Sequence, residues 1–144
     1  MAELLDYGVE FSSCKINLEI ERIASGDETV VTFNVTLVSR YGTIKEEITC
    51  LKNDLLFMLE TIQDVIDTEK PNFISTDEPG LFMEVKHAQK LENETLFSVL
   101  FVIDAGISGP KQVSTDTGPA LYITVKKEQL QTFKENLILE LDKV

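Results

Sequence analysis

Cys14, Ile16, Leu18 and Ile20 alternate with Lys15, Asn17, Glu19 and Glu21, and this period of two predicts a half-buried strand. Val9 and Phe11 fall out of step with it, so a bend or bulge is expected near Ser12-Ser13. After the turn signal Ser25-Gly26-Asp27-Glu28, Val31, Phe33, Val35 and Leu37 take one face and Thr32, Asn34 and Thr36 the other. A second turn at Arg40-Tyr41-Gly42 leads to Ile44, Ile48 and Cys50 on a third, half-exposed strand. Strands joined by such short turns read as an antiparallel meander.

The period then changes. Leu55, Met58, Leu59, Ile62, Val65 and Ile66 recur at helical spacing and form one broad apolar stripe, which predicts a helix over about 53–69. Asn53 is the expected N-cap, Asp54 suits the positive end of the helix dipole, and Lys70-Pro71 is the stop signal. Next come a short strand at Asn72–Ser75, a turn at Asp77–Gly80, and an alternating strand through Leu81, Met83, Val85 and His87. The run from Thr95 to Asp104 is apolar on both faces and reads as a central strand. A last strand over 120–125 precedes a helix over about 127–142, whose stripe is Leu130, Phe133, Leu137 and Leu141. The whole chain, 1–144, therefore predicts a single α+β domain with an antiparallel, mostly meandering sheet of about six or seven strands and two amphipathic helices. No internal repeat shows in the residues.

Size supports this reading, since a domain of about 150 residues buries roughly 68–70% of its unfolded surface and needs neither metal nor disulfide. The opening residues MAELLDYGVEF carry no basic region and no apolar core of a signal peptide, and no apolar run nears the ~18 residues of a membrane helix. A cytoplasmic protein without membrane contact is expected. Cys14 and Cys50 sit in phase with apolar strand residues and read as reduced, buried thiols. Charge is the compositional outlier: 25 acids against 13 bases leave −12. Such a field repels nucleic acid and anionic lipid and speeds encounter with a basic partner.

Candidate chemistry is sparse. DAGISGPKQVSTDTGPA, from Asp104 to Ala120, is the most glycine- and proline-rich run. A phosphate loop needs two glycines five positions apart followed by Lys and a hydroxyl. Here Gly106 and Gly109 are only three apart, Pro110 separates Gly109 from Lys111, and Gln112 stands at the hydroxyl position. The run is either a flexible connection or a loop that contacts a partner or ligand, with Gly106, Gly109 and Lys111 as possible contacts. His87, the one histidine, lies in the inward phase of its strand and has no nucleophile at a supporting spacing. Adjacent acids such as Glu46-Glu47 and Asp77-Glu78 point to opposite faces and do not converge. No metal-ligand spacing appears, and Arg22 and Arg40 are the only arginines for a phosphate surface. The expectation is a protein that is not an enzyme, with no cofactor, no metal and no nucleic-acid partner.

The first predicted helix carries a second pattern opposite its core stripe. Glu60, Asp64 and Asp67 line up at i, i+4 and i+7, and no base lies between Asp54 and Glu69 to offset them. Leu56 and Phe57 flank this row. An apolar pair beside carboxylates suits the docking of a basic protein, the aromatic anchoring and the acids steering. Leu139 among Glu128, Thr132 and Glu135 repeats the arrangement more weakly on the last helix. Cover by a neighbouring segment, or a homo-oligomer through the same residues, is the alternative for both helices.

The order of elements, with NDLLFMLETIQ, GLFMEV and LYITVKKEQLQTFKENL, resembles the small acidic immunity proteins of bacterial polymorphic-toxin systems, the WapI-type immunity family. The likeness spans most of the chain and rests on layout and on the ending V-x-x-E-Q-L-x-x-F-x-x-x-L from Val125 to Leu137. It implies a cytosolic antidote that binds a nuclease-type toxin domain and blocks it without chemistry of its own; no site residue is carried over from it. Two other readings stay open: a small-ligand-binding domain using the 105–118 loop, and an oligomeric structural component.

Overall fold

A computed structural model describes residues 1–7, 14–75, 81–103, 107–108, 111–112 and 119–142, with the side chains of 73–75, 107–108 and 111–112 outside the description. The first half is the expected meander with one strand added: β1 (Ala2–Leu5), β2 (Lys15–Ala24), β3 (Val30–Ser39) and β4 (Gly42–Leu51) pair antiparallel in that order. Helix α1 (Lys52–Thr68) follows. The second half comprises β5 (Asn72–Ser75), β6 (Leu81–Lys90), β7 (Thr95–Ile103), the two-residue pair β8 (Ile107–Ser108) and β9 (Lys111–Gln112), then β10 (Ala120–Lys126) and helix α2 (Lys127–Asp142). Its sheet runs β10-β7-β6-β5, so β7 is central, as its two apolar faces predict. The α+β class, the antiparallel pairing and both helices follow the hydrophobic pattern. The strands divide into two four-stranded sheets instead of one. β1 escapes the periodicity because four residues, with only Ala2 and Leu4 fully buried, hold too few repeats to register. The bend expected at Ser12-Ser13 and the turn at Asp77–Gly80 lie outside the described residues.

The two halves have the same plan. Each is a four-stranded meander that passes without a connecting residue into a helix: Leu51 ends β4 and Lys52 opens α1, and Lys126 and Lys127 do the same for β10 and α2. Each also breaks register at one place, between Ile20 and Arg22 opposite Phe33, and between His87 and Gln89 opposite Phe97. Leu55, Met58, Ile62 and Ile66 of α1 correspond in spacing and burial to Leu130, Phe133, Leu137 and Leu141 of α2. The residues differ enough that no repeat is visible in the sequence, because burial constrains size and apolarity and leaves identity open.

The helices exchange places. α1 lies against β5 and β6 of the second sheet as well as β4, and α2 lies against β1 and β2 of the first as well as β10 and β7. One continuous core results, with Phe33, Phe97, Phe101 and Phe133 at its fully buried centre. Hydrogen bonds join the two halves beside β1 and β10 too: the Tyr7 N–H donates to the Thr124 carbonyl, and the Thr124 N–H donates to the Asp6 side-chain carboxylate at 2.9 Å.

The start of α1 departs from expectation. Leu51, not Asn53, occupies the N-cap, with extended backbone (φ −70°, ψ 141°) and no side-chain cap bond. Leu51 is still paired with Val30, and the Lys52 N–H donates to the Thr29 carbonyl at 2.9 Å, so the sheet holds the helix start where a side chain usually does. At the other end Glu69 adopts the left-handed conformation at φ 59°, and its N–H closes onto the Val65 carbonyl. Pro71 follows two residues later, in keeping with the stop signal.

Candidate acidic helix face

Because Leu55, Met58, Leu59, Ile62, Val65 and Ile66 all turn inward, the 3.6-residue period leaves the opposite side of α1 in solvent. Phe57 is 61% exposed and Leu56 38%, while Glu60, Asp64 and Asp67 are all exposed. The five residues singled out in the sequence therefore share the outward side. Two hydroxyls of α1 fold back onto the helix, that of the buried Thr61 onto the Phe57 carbonyl and that of the exposed Thr68 onto the Asp64 carbonyl. Gln63 donates to Asp67 Oδ1 at 2.9 Å.

This charge distribution is not the one that stability selects. Glu60, Asp64 and Asp67 repel at i, i+3 and i+4 by a few tenths of a kcal/mol per pair. The last turn of α1 holds no base, and Asp67 and Glu69 stand near the negative end of its dipole. The ion pairs among the described residues leave Glu60, Asp64 and Asp67 out: Lys15 with Glu3, Arg22 with Glu47, Lys86 with Glu84, Lys126 with Glu94 at 3.2 Å, the N-terminal ammonium with Glu140, and His87, when protonated, with Glu69 at the end of α1. Glu94, by hydrogen bond and charge, also holds the Lys126 ammonium above its ordinary pKa. None of these bases compensates the α1 row.

α2 completes the surface. Glu128, Thr132, Glu135 and Leu139 are exposed in one row, Leu139 at 61%. Ile138 faces toward α1 and stays 38% exposed. Between the helices lies a groove of about 300 Å³ lined by Leu56, Leu59, Glu60 and Gln63 on one side and Lys134 and Ile138 on the other. The Lys134 ammonium donates to Gln63 Oε1 and ties the two walls together. Lys134 and Ile138 were not legible as site residues: a helical stripe tells which side of its own helix is buried, not which helix lies beside it. Of the nine large apolar side chains exposed among the described residues, Leu56, Phe57, Ile138 and Leu139 belong to this helix pair. That concentration marks the pair as the strongest candidate surface.

The other chemical candidates resolve into structural roles. His87 packs edge-on against Phe97 at 5.8 Å between ring centres, and its Nε2 lies 3.9 Å from Glu69 Oε2. Cys50 is buried, and burial first and the Asp54 charge second push its thiol up to about 12, so it is protonated and unreactive at neutral pH. Cys14 is half-buried, and neither cysteine forms a disulfide. Glu46 pairs with Val35 and Glu47 with Asn34, so the two carboxylates point to opposite faces of β4. Gly106 and Gly109 lie outside the described residues; Lys111 lies in β9 opposite Ser108, its side chain outside the description. Among the described residues no three His, Cys, Asp or Glu side chains converge as a metal site, and no helix is long and apolar enough to cross a membrane. Comparison with protein-family models, with curated proteins and with solved structures finds no match.

Proposed function

We propose that the protein is a non-enzymatic, acidic binding module that docks a basic protein on the outward face of α1. Phe57 is the anchor, Leu56 supports it, and Glu60, Asp64 and Asp67 steer the partner in. The single observation that carries this reading is a 61% exposed phenylalanine set among carboxylates, Glu60, Asp64 and Asp67, that form no ion pair among the described residues, on a helix whose own stability suffers from them. The net charge of −12 acts in the same direction over longer range. Within this class the best fit is a cytoplasmic immunity protein that neutralises a nuclease-type toxin. A nuclease presents a basic face to its substrate, and a carboxylate surface can cover that face as a phosphate mimic. The resemblance in element order is the other support for the toxin reading.

The test first asks whether a neighbouring reading frame encodes a basic domain, and then takes that domain as partner. Phe57→Ala should leave the association rate unchanged and raise the dissociation rate about tenfold or more, as loss of an interface anchor does. Glu60→Lys, Asp64→Lys and Asp67→Lys together should cut the association rate and flatten its salt dependence. Association indifferent to salt between about 50 and 500 mM, a range over which screening changes severalfold, would overturn the proposal.

A further inference from the structure

We infer that the groove between α1 and α2 receives one basic amphipathic helix of the partner. This rests on the reading of α1 as a docking face and adds the second wall, the shape of the bound segment and its chemistry. The floor is apolar, formed by Leu56, the almost fully buried Leu59 and Ile138. Glu60 and Gln63 rise on one side and Lys134 on the other, and Phe57 and Leu139 stand exposed at 61% on the outer flanks.

The form of the occupant follows from what the groove offers. Its walls are two helices whose backbone groups are bonded within each helix, so an added strand would find no free edge to pair with. Side chains must supply the recognition. Leu56, Leu59 and Gln63 succeed one another along α1 at intervals of three and four residues, about one 5.4 Å turn each. A helical ligand presents its apolar side chains at the same interval, at i, i+3 or i+4, and i+7.

Charge selects the sign of that helix. Glu60 lines the groove, and Asp64 and Asp67 on α1 and Glu135 on α2 are exposed on the same two helices, whereas Lys134 is engaged with Gln63. Lysines or arginines flanking the ligand's apolar stripe would meet these carboxylates. The same charges disfavour a second copy of this chain: a two-fold interface would set the row of Glu60, Asp64 and Asp67 against itself, between molecules that each carry −12.

A synthetic helical peptide of leucine and lysine, its leucines at i, i+3, i+4 and i+7, tests this directly by amide chemical-shift mapping of the isotope-labelled full chain. A scrambled peptide of identical composition, with no apolar side, serves as control. Saturable shifts are expected at Leu56, Leu59, Glu60, Gln63, Lys134 and Ile138 with the striped peptide and not with the scrambled one. Ile138→Asp and, independently, Leu56→Lys should each weaken binding tenfold or more; both positions are 38% exposed, and an unchanged circular dichroism spectrum shows that the fold is kept. Shifts restricted to Phe57, Asp64 and Asp67 that ignore Ile138→Asp would overturn the groove while leaving the docking face of α1 standing. Equal shifts with both peptides would overturn the helical ligand. No saturable shift on either helix would remove both. A dimer of the free protein in sedimentation equilibrium, dissociated by Ile138→Asp, would replace the partner helix by a second copy.

Discussion

Glu69 is held in the left-handed region at φ 59°, where a side chain costs about 1 kcal/mol or more and glycine sits without strain. Its carboxylate is half-exposed and stands 3.9 Å from His87 Nε2, too far for a hydrogen bond that would offset the strain. Glu69→Gly should therefore raise the melting temperature by roughly 2–4 °C, read by thermal unfolding. Cys50 gives a pH dependence with a definite sign. In the unfolded chain its thiol ionises near its ordinary value, 9.0, while in the fold it stays protonated up to about 12. The unfolded state therefore binds fewer protons between those values, and stability falls as pH rises through that window. Wild type measured against Cys50→Ala in urea at stepped pH should lose stability relative to the variant from about pH 9 upward and show no such difference below pH 8. Such details were only partly legible beforehand. The in-phase placement of Cys50 predicts its burial, but the contact of His87 with Glu69 depends on how β6 meets the end of α1, and no spacing along the chain encodes it.

At the scale of the element, α1 sets binding against stability. Asp64→Lys replaces two repulsions, with Glu60 and Asp67, by two attractions, and should stabilise the protein by up to about 1 kcal/mol in urea unfolding. The same substitution should slow association with the basic partner. If the row only solvates the helix, stability will rise and binding will not change. On the inner side, Ile62→Ala and its counterpart Leu137→Ala should each cost about 2–5 kcal/mol, because both side chains are fully buried in the shared core. Both helices were readable because an apolar stripe at 3.6-residue spacing reports burial directly. The start of α1 was not. Asn53 has a capping side chain, yet β4 delivers the chain already bonded at Lys52, and tertiary bonding overrides the local preference. The groove was beyond reach for a related reason, since its two walls lie more than seventy residues apart in the chain.

For the whole molecule, the exchange of helices makes the two halves interdependent. Each sheet is covered in part by the helix that the other sheet's last strand leads into, so neither half owns a complete core. Urea unfolding followed by far-UV circular dichroism and by tyrosine fluorescence should give coincident single transitions, and separated transitions would show that the halves fold on their own. The missing spacer between β4 and α1 has a further effect on what length changes the chain can accept. One extra residue after Leu51 would advance the sequence along a rail whose direction the sheet has already set, turning every following side chain by about 100°. Asp54 would arrive where Leu55 now points, Phe57 where Met58 does, and Asp64 where Val65 does. A carboxylate would be driven into oil at two places by a change that alters no existing letter. Drift in length among descendants of this chain should accordingly gather at the hairpin tips and spare that seam.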